Sequence, residues 1–298
     1  MKYLISIFLV TLSFLDCRSQ DLLPFNVDTL WGYKDKQGVV KIEPTYQYTT
    51  RFLYGIAIVA KNNHLGAIDK DNHIIVPFRY EYLRPLDSSE FLFGYRGKYF
   101  GESVIGVMTK DEKIKIPALY DYIFKHNNTY TITTSVDSLL GTSEFGDIRT
   151  SRRLDGLLDS SGKVLIPCKY HSIRWATESV LVVDSSFTTE DGKYIRTHSA
   201  LFTNKGEQLT GFDYMVFGKF IEGIAKARIG NKFGFIYPTG KIAIPVEFDY
   251  CEEFSNGYAL IKQQEKWGAI NKEGKIVVEP KLGPEEVKTI LREKYGRL

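Results

Sequence analysis

The stretch WGAINKEGKIVVEP, Trp267 to Pro280, decides the fold. Trp267 to Ile270 predicts a strand, and Lys275 to Val278 a second one. Between them Asn271 and Gly274 predict a turn. An Asn side chain can bond its own backbone, and Gly takes φ > 0 freely. The pattern fits a short hairpin closed by a glycine bulge. Pro280 has no N–H to give, so pairing is expected to stop there. Just upstream, FSNGYALI, Phe254 to Ile261, supplies a third strand.

The pattern repeats. A residue followed by Gly, with a turn residue six positions later, occurs at Trp31-Gly32 with Gly38, Leu65-Gly66 with Asn72 and Ile105-Gly106 with Glu112. It recurs at Gly156 with Gly162, Phe233-Gly234 with Gly240 and Trp267-Gly268 with Gly274; Ala200 with Gly206 is a degenerate copy. Asp35, Asp69 and Asp159 stand where Asn271 does. Asn72 tolerates the left-handed conformation but Glu112 does so poorly, so the third turn is expected to differ.

A proline follows each turn at Pro44, Pro77, Pro117, Pro167, Pro245 and Pro280, with Gly211 in the degenerate copy. An aromatic pair comes next: Tyr46 and Tyr48, Tyr80 and Tyr82, Tyr120 and Tyr122, Phe212 and Tyr214, Phe248 and Tyr250. Then an aromatic-x-x-Gly-x-Ala run appears at Phe52 to Ala57, Phe220 to Ala225 and Phe254 to Ala259. Successive repeats start 34, 40, 50, 44, 34 and 34 residues apart.

On these residues the chain resembles the WG-repeat family, most clearly over Trp267 to Pro280 and Phe254 to Ile261. Repeats three to five lack the Trp, and repeat five lacks the Pro. The resemblance implies a bacterial repeat scaffold that mediates interactions. It brings no common catalytic residue.

The expected fold is all-β: about seven stacked three-stranded meanders in an open superhelix over residues 20–282, with a closed seven-bladed propeller as the alternative. Phe25 to Leu30 could close such a ring by adding a strand to the last repeat. Three short strands cannot bury two aromatic rows alone. The Trp before Gly and the aromatics after Pro are therefore expected in a core shared between neighbours. Pro284 to Tyr295, with Glu285 and Glu286 in its first turn, predicts a helix, read as a cap over residues 283–298.

The N-terminus predicts export. Lys2 precedes a nearly apolar run from Tyr3 to Leu15, the length of a signal-peptide core and too short to span a bilayer comfortably. Residues 1–19 are read as the signal peptide, with Cys17 as a lipid anchor in the alternative reading. No transmembrane span is expected once it is removed. The chain is then secreted, periplasmic or at the outer envelope. Cys168 and Cys251 can pair at most once, and two unpaired thiols are the other reading.

The composition is that of a globular protein: 39 basic residues against 36 acidic ones give a net charge of +3, with no block of one sign. That leaves no electrostatic footprint for nucleic acid. No metal-ligand spacing, phosphate loop or nucleophile elbow occurs, and no cofactor or metal is expected. His64, His73, His126, His171 and His198 form no motif. Asp155 with Asp159, and Glu144 with Asp147, are acid pairs that chance also produces, although a glycosidase needs only two carboxylates at a set distance. Repeats two to four carry extra residues, near Thr129 to Arg153 and Ser185 to His198 above all. These read as lengthened hairpins emerging on one face. The expected function is binding or scaffolding of a protein or glycan; a structural spacer and a glycan-acting hydrolase are the alternatives.

Overall fold

The computed structural model describes residues 22–96, 103–143, 146–188 and 195–296. The proposed signal peptide, Cys17 and Glu144 lie outside them. Among the described residues seven antiparallel sheets follow one another. The first holds β1 (Leu23–Val27), β2 (Leu30–Lys34) and β3 (Val40–Tyr46). The second holds β4 (Tyr48–Thr49), β5 (Ala57–Lys61), β6 (His64–Ile68) and β7 (Ile74–Tyr80). The third holds β8 (Tyr82–Pro85), β9 (Glu90–Arg96), β10 (Ser103–Thr109) and β11 (Ile114–Tyr120). The fourth holds β12 (Tyr122–His126), β13 (Thr129–Ser143), β14 (Gly146–Asp159) and β15 (Val164–Tyr170). The fifth holds β16 (Ser172–Trp175), β17 (Val180–Thr188) and β18 (Ile195–Thr203). The sixth holds β19 (Met215–Ile221), β20 (Ile224–Ile229), β21 (Lys232–Ile236) and β22 (Ile242–Phe248). The seventh holds β23 (Tyr250–Cys251), β24 (Tyr258–Gln263), β25 (Lys266–Asn271) and β26 (Ile276–Leu282), and α1 (Pro284–Tyr295) ends the chain.

The chain forms two compact units. One runs up to Phe93 and includes Met108–Lys113; the other holds Gly94–Val107 and everything from Ile114 on. In the first, Tyr33, Ile42 and Tyr46 of the first sheet pack against Ala57, Val59 and Ile68 of the second. In the other, Leu157 and Ile166 meet Leu181, Val183 and Ala200 across the fourth and fifth sheets. Val180, Val182 and Leu201 meet Val216, Ala225 and Ile236 across the fifth and sixth. Phe235, Ile244 and Phe248 meet Cys251, Ala259 and Ile261 across the sixth and seventh. The outer face of the seventh sheet, Leu260, Ala269 and Val278, is covered by Val287 and Leu291 of α1. The helix starts at Pro284, and the backbone N–H of Gly283 donates to Glu286 Oε2 at 2.8 Å.

Four local readings are corrected. The proline does not end pairing: Pro44 lies inside β3 and Pro280 inside β26. Trp31 pairs with Tyr46 and Tyr33 with Ile42, so Glu43, Pro44 and Thr45 bulge opposite Gly32 alone. The missing N–H is tolerated because the bulge breaks the ladder there. Secondly, four of the five aromatic pairs straddle two sheets, Phe212 and Tyr214 lying between strands. Tyr46 closes β3 and is buried, whereas Tyr48 opens β4 and is 50% exposed. Tyr48, Tyr82, Tyr122 and Tyr250 thereby open the added first strand of four sheets; in the sixth, β19 starts at Met215, just after Tyr214. Thirdly, Glu112 adopts φ 59° and closes the same turn as its counterparts, with Thr109 N donating to Lys113 O and Glu112 N to Thr109 O. Finally, Phe25 does not close a ring on the last repeat: β1 pairs with β2, Phe25 facing Gly32.

Candidate functional site

The glycine after the Trp position is set by the bulge opposite it. A Cβ on Gly32 would lie 2.3 Å from Ile42 O and 2.7 Å from Pro44 N. A Cβ on Gly268 would meet Val278 O at 2.5 Å and Pro280 N at 2.7 Å. Gly106 and Gly234 face the bulges at Pro117 and Pro245 in the same way, Gly156 faces Cys168 just past Pro167, and Gly66 faces Val76 O and Phe78 beside Pro77. The turn residues Gly38, Gly162, Gly240 and Gly274 all have positive φ. In each of these turns a side chain or backbone acceptor gathers the loop. Asp35 Oδ1 accepts from Gln37 N at 3.0 Å and Val39 N at 2.9 Å, and Asp159 Oδ1 does the same for Ser161 and Lys163. These residues build the repeat.

The pair Asp155 and Asp159 resolves into such local structure. Asp159 is the turn acceptor just described. Asp155 Oδ1 receives the Thr133 hydroxyl at 2.7 Å and Oδ2 the Ile173 N–H at 3.1 Å, tying the fourth sheet to the fifth. The histidines are scattered. His64 Nδ1 contacts Asn62 O, His198 Nδ1 contacts Phe212 O, and His126 lies 4.1 Å from the Trp175 ring. Asp69, Asp71 and His73 bring their ligand atoms within 4.8 Å of one another. Yet Asp69 already accepts from the backbone of Asp71 and His73. The His73 imidazole, bonded to Asp69 Oδ2 at 3.0 Å, is held above its usual pKa mainly by that bond. Asp69 is the acceptor that gathers this turn. Cys168 and Cys251 are both unpaired.

A buried polar cluster joins the fifth and sixth sheets. Asp184 accepts from Ser199 Oγ at 2.6 Å, Ser172 Oγ at 2.8 Å and Arg174 Nε at 3.3 Å. Arg174 also donates to Val216 O at 2.7 Å, and Ser199 Oγ accepts from Val216 N at 3.1 Å. Ser199 is fully buried; its bond to Asp184 lies within the fifth sheet, and the two bonds to Val216 tie that sheet to the sixth.

Two surface features remain. The first is a set of lengthened hairpins at one position of the repeat. The hairpin β5–β6 has strands of five residues, and β24–β25 strands of six. The equivalent β13 and β14 have 15 and 14, and β17 and β18 nine each. Among the described residues, the expected lengthening near Thr129 to Arg153 and Ser185 to His198 is thus two-stranded ribbon. Arg152 Nη2 donates to Ser186 O at 3.2 Å, so these two hairpins touch.

The second was missed by sequence reasoning. The aromatics before the signature Gly sit at the rim of the core: Trp31, Phe233 and Trp267 are only partly buried, Phe233 and Trp267 packing against core clusters from the edge, whereas Ile105 at the same position is buried, as are Tyr33 and Phe235 just after the Gly. In the sixth and seventh sheets these rim residues form a row. Phe217 and Phe233 have ring centroids 6.0 Å apart, Phe233 and Tyr250 5.4 Å, and Tyr250 and Trp267 5.8 Å. Lys226 lies over Phe217 at 5.6 Å and Tyr250 at 5.1 Å; Arg228 lies over Phe217 at 5.7 Å and Phe233 at 5.9 Å. At its Arg228 end the row opens into a cleft of about 470 Å³, lined also by Thr197, His198, Asp213, Met215 and Asn231. The alternation Lys226-Ala227-Arg228 was the available signal, since it puts both cations on one face of a strand.

The WG-containing repeat matches residues 31–63, 66–93, 156–180, 233–267 and 267–282. The chain is a WG-repeat protein. The matches fall on the repeats whose Gly–bulge contacts are described above. No curated protein matches the sequence. Among solved structures, a eukaryotic initiation factor is similar at 11% identity and a TM-score of 0.39, over 85% of this chain and 72% of that one. The uncomplexed acylaminoacyl peptidase of Pyrococcus horikoshii is similar at 12% identity and a TM-score of 0.30, over 88% of this chain and 46% of that one. Neither likeness assigns an activity to the WG-repeat protein.

Proposed function

We propose that this WG-repeat protein is an exported binding scaffold, which engages a partner of the cell envelope or exterior through its lengthened hairpins. The observation that carries the reading is their placement. β9–β10, β13–β14 and β17–β18 occupy the same position in three successive repeats, and the latter two are joined by Arg152. Elaboration confined to one position of a regular scaffold is how repeat proteins build binding surfaces. The apolar N-terminal run after Lys2 supports export. Among the described residues no helix is long and apolar enough to cross a membrane.

The test is comparative capture. The full chain, and a variant in which residues 136–152 are replaced by an Asn-Gly turn between Ser135 and Arg153, are used as baits against envelope and culture fractions. A partner held by the first and lost from the second supports the reading. Equal capture by both folded baits overturns the placement. Fractionation of the source cells tests export, and recovery of the chain in the cytosol alone overturns it.

A further inference from the structure

We infer that the aromatic–cation row of the sixth and seventh sheets, with its adjoining cleft, binds an acidic carbohydrate: a chain of sugar rings bearing carboxylates. This goes beyond the hairpin reading. The site touches the lengthened β17–β18 only at its root, through Thr197 and His198.

Charge is the first argument. Lys226 and Arg228 are partly buried, and among the described residues neither forms an ion pair. They lie against the ring faces of Phe217, Phe233 and Tyr250, with Met215 Sδ at 3.5 Å from Arg228 Nη2. An aromatic face compensates a cation weakly. A carboxylate compensates it far better, and a guanidinium can present two parallel N–H donors to one. The neighbouring Lys232 differs, since it is paired with Asp249 at 2.6 Å.

Shape is the second. Successive rings are inclined to one another by 33°, 63° and 72°. The row therefore shows edges and partial faces rather than the parallel open faces on which nucleobases stack. An apolar C–H face of a sugar ring packs against such a surface by dispersion. The rim position leaves Tyr250 38% exposed.

The cleft is the third. Thr197, Asp213 and Asn231 place hydroxyl, carboxylate and amide groups beside Arg228. That mixture suits the donor and acceptor hydroxyls of a sugar. Asp213 opposes a densely charged phosphodiester, and so does the near balance of 39 basic and 36 acidic residues.

The experiment is calorimetric titration of the full chain with polygalacturonate, its fully methyl-esterified neutral form, and single-stranded polyuridylate. Polygalacturonate is expected to bind, more weakly as salt rises, and the neutral ester not to bind. The double variant Lys226→Gln, Arg228→Gln keeps the melting temperature, and its affinity is expected to fall about tenfold or more. The variant lacking residues 136–152 is expected to bind polygalacturonate as the parent does, even if it has lost every captured partner. Absence of polygalacturonate binding by the folded chain overturns the inference. So does equal binding of the ester, an unchanged affinity in the double variant, or tighter polyuridylate binding with the same sensitivity to it. Loss of binding in the shortened variant alone places the carbohydrate on the hairpin and also overturns it.

Discussion

The phenol of Tyr80 donates a 2.7 Å hydrogen bond to the carboxylate of Glu112, the turn residue of the next repeat. Arg79 Nη2 holds the same oxygen at 2.5 Å. Tyr46 does the equivalent one repeat earlier, donating to Asn72 Oδ1 at 2.6 Å. Where the turn residue carries a side chain despite its positive φ, the preceding repeat uses that side chain as an acceptor. This contact explains how Glu112 keeps a conformation that a sequence reading disfavours.

It also separates two energies. Glu112→Ala leaves the backbone as it is and removes the acceptor of the buried Tyr80 hydroxyl, an expected loss of about 2 kcal/mol. Glu112→Gly removes the same acceptor but relieves the left-handed backbone, so its loss is expected to be about 1 kcal/mol smaller. Urea unfolding of both variants checks this. Equal losses would show that the backbone at Glu112 carries no strain.

Gly268 and Gly38 are signature glycines with different reasons to exist. Gly268→Ala drives a Cβ to 2.5 Å from Val278 O, so backbone must move, at an expected cost of about 3 kcal/mol. Gly38→Ala meets nothing within 4 Å and pays only for φ +87°, about 1 kcal/mol. Thermal unfolding should rank Gly268→Ala as much the worse. The reverse order would refute the bulge explanation of the WG glycine.

The turn carboxylates predict acid sensitivity. Burial pushes the Asp35 and Asp69 carboxyls up, but backbone N–H donors, with Lys41 and His73, outweigh it and hold both below the ordinary value of 3.8. Asp159 is held below it chiefly by the Ser161 hydroxyl. A folded pKa below the unfolded one means stability that is present above the unfolded pKa. It is lost as pH falls through the folded pKa. The melting temperature is therefore expected to drop on the acid side. The triple variant Asp35→Asn, Asp69→Asn, Asp159→Asn keeps the oxygen acceptors, as Asn271 does naturally, and is expected to drop less steeply. Parallel acid limbs would count against the turns as the source.

The two cysteines should differ in reactivity. Burial pushes the Cys251 thiol up to about 12, with Lys226 opposing weakly. Burial also raises the half-buried Cys168. Alkylation at neutral pH followed by mass spectrometry is expected to label Cys251 only on unfolding and Cys168 slowly before it. Rapid native labelling of Cys251, or a disulfide between the two, would contradict the packing of the sixth sheet on the seventh.

The repeat, its turns and the helix Pro284–Tyr295 were legible in the sequence because the residues that make them act locally. Asn271 bonds a backbone N–H four residues away, Gly274 takes its own φ, and Glu286 reaches Gly283 within one turn. The lengthened hairpins were legible as excess length between fixed landmarks. Local chemistry does not say which strands share a sheet. Only pairing places Pro44 in a bulge against Gly32, and only pairing parts Tyr46 from Tyr48 into neighbouring sheets. The rim row from Phe217 to Trp267 follows from the same cause. Its residues are as much as 50 positions apart, and no interaction within one repeat requires them to meet; the stacking of the sixth sheet on the seventh brings them together.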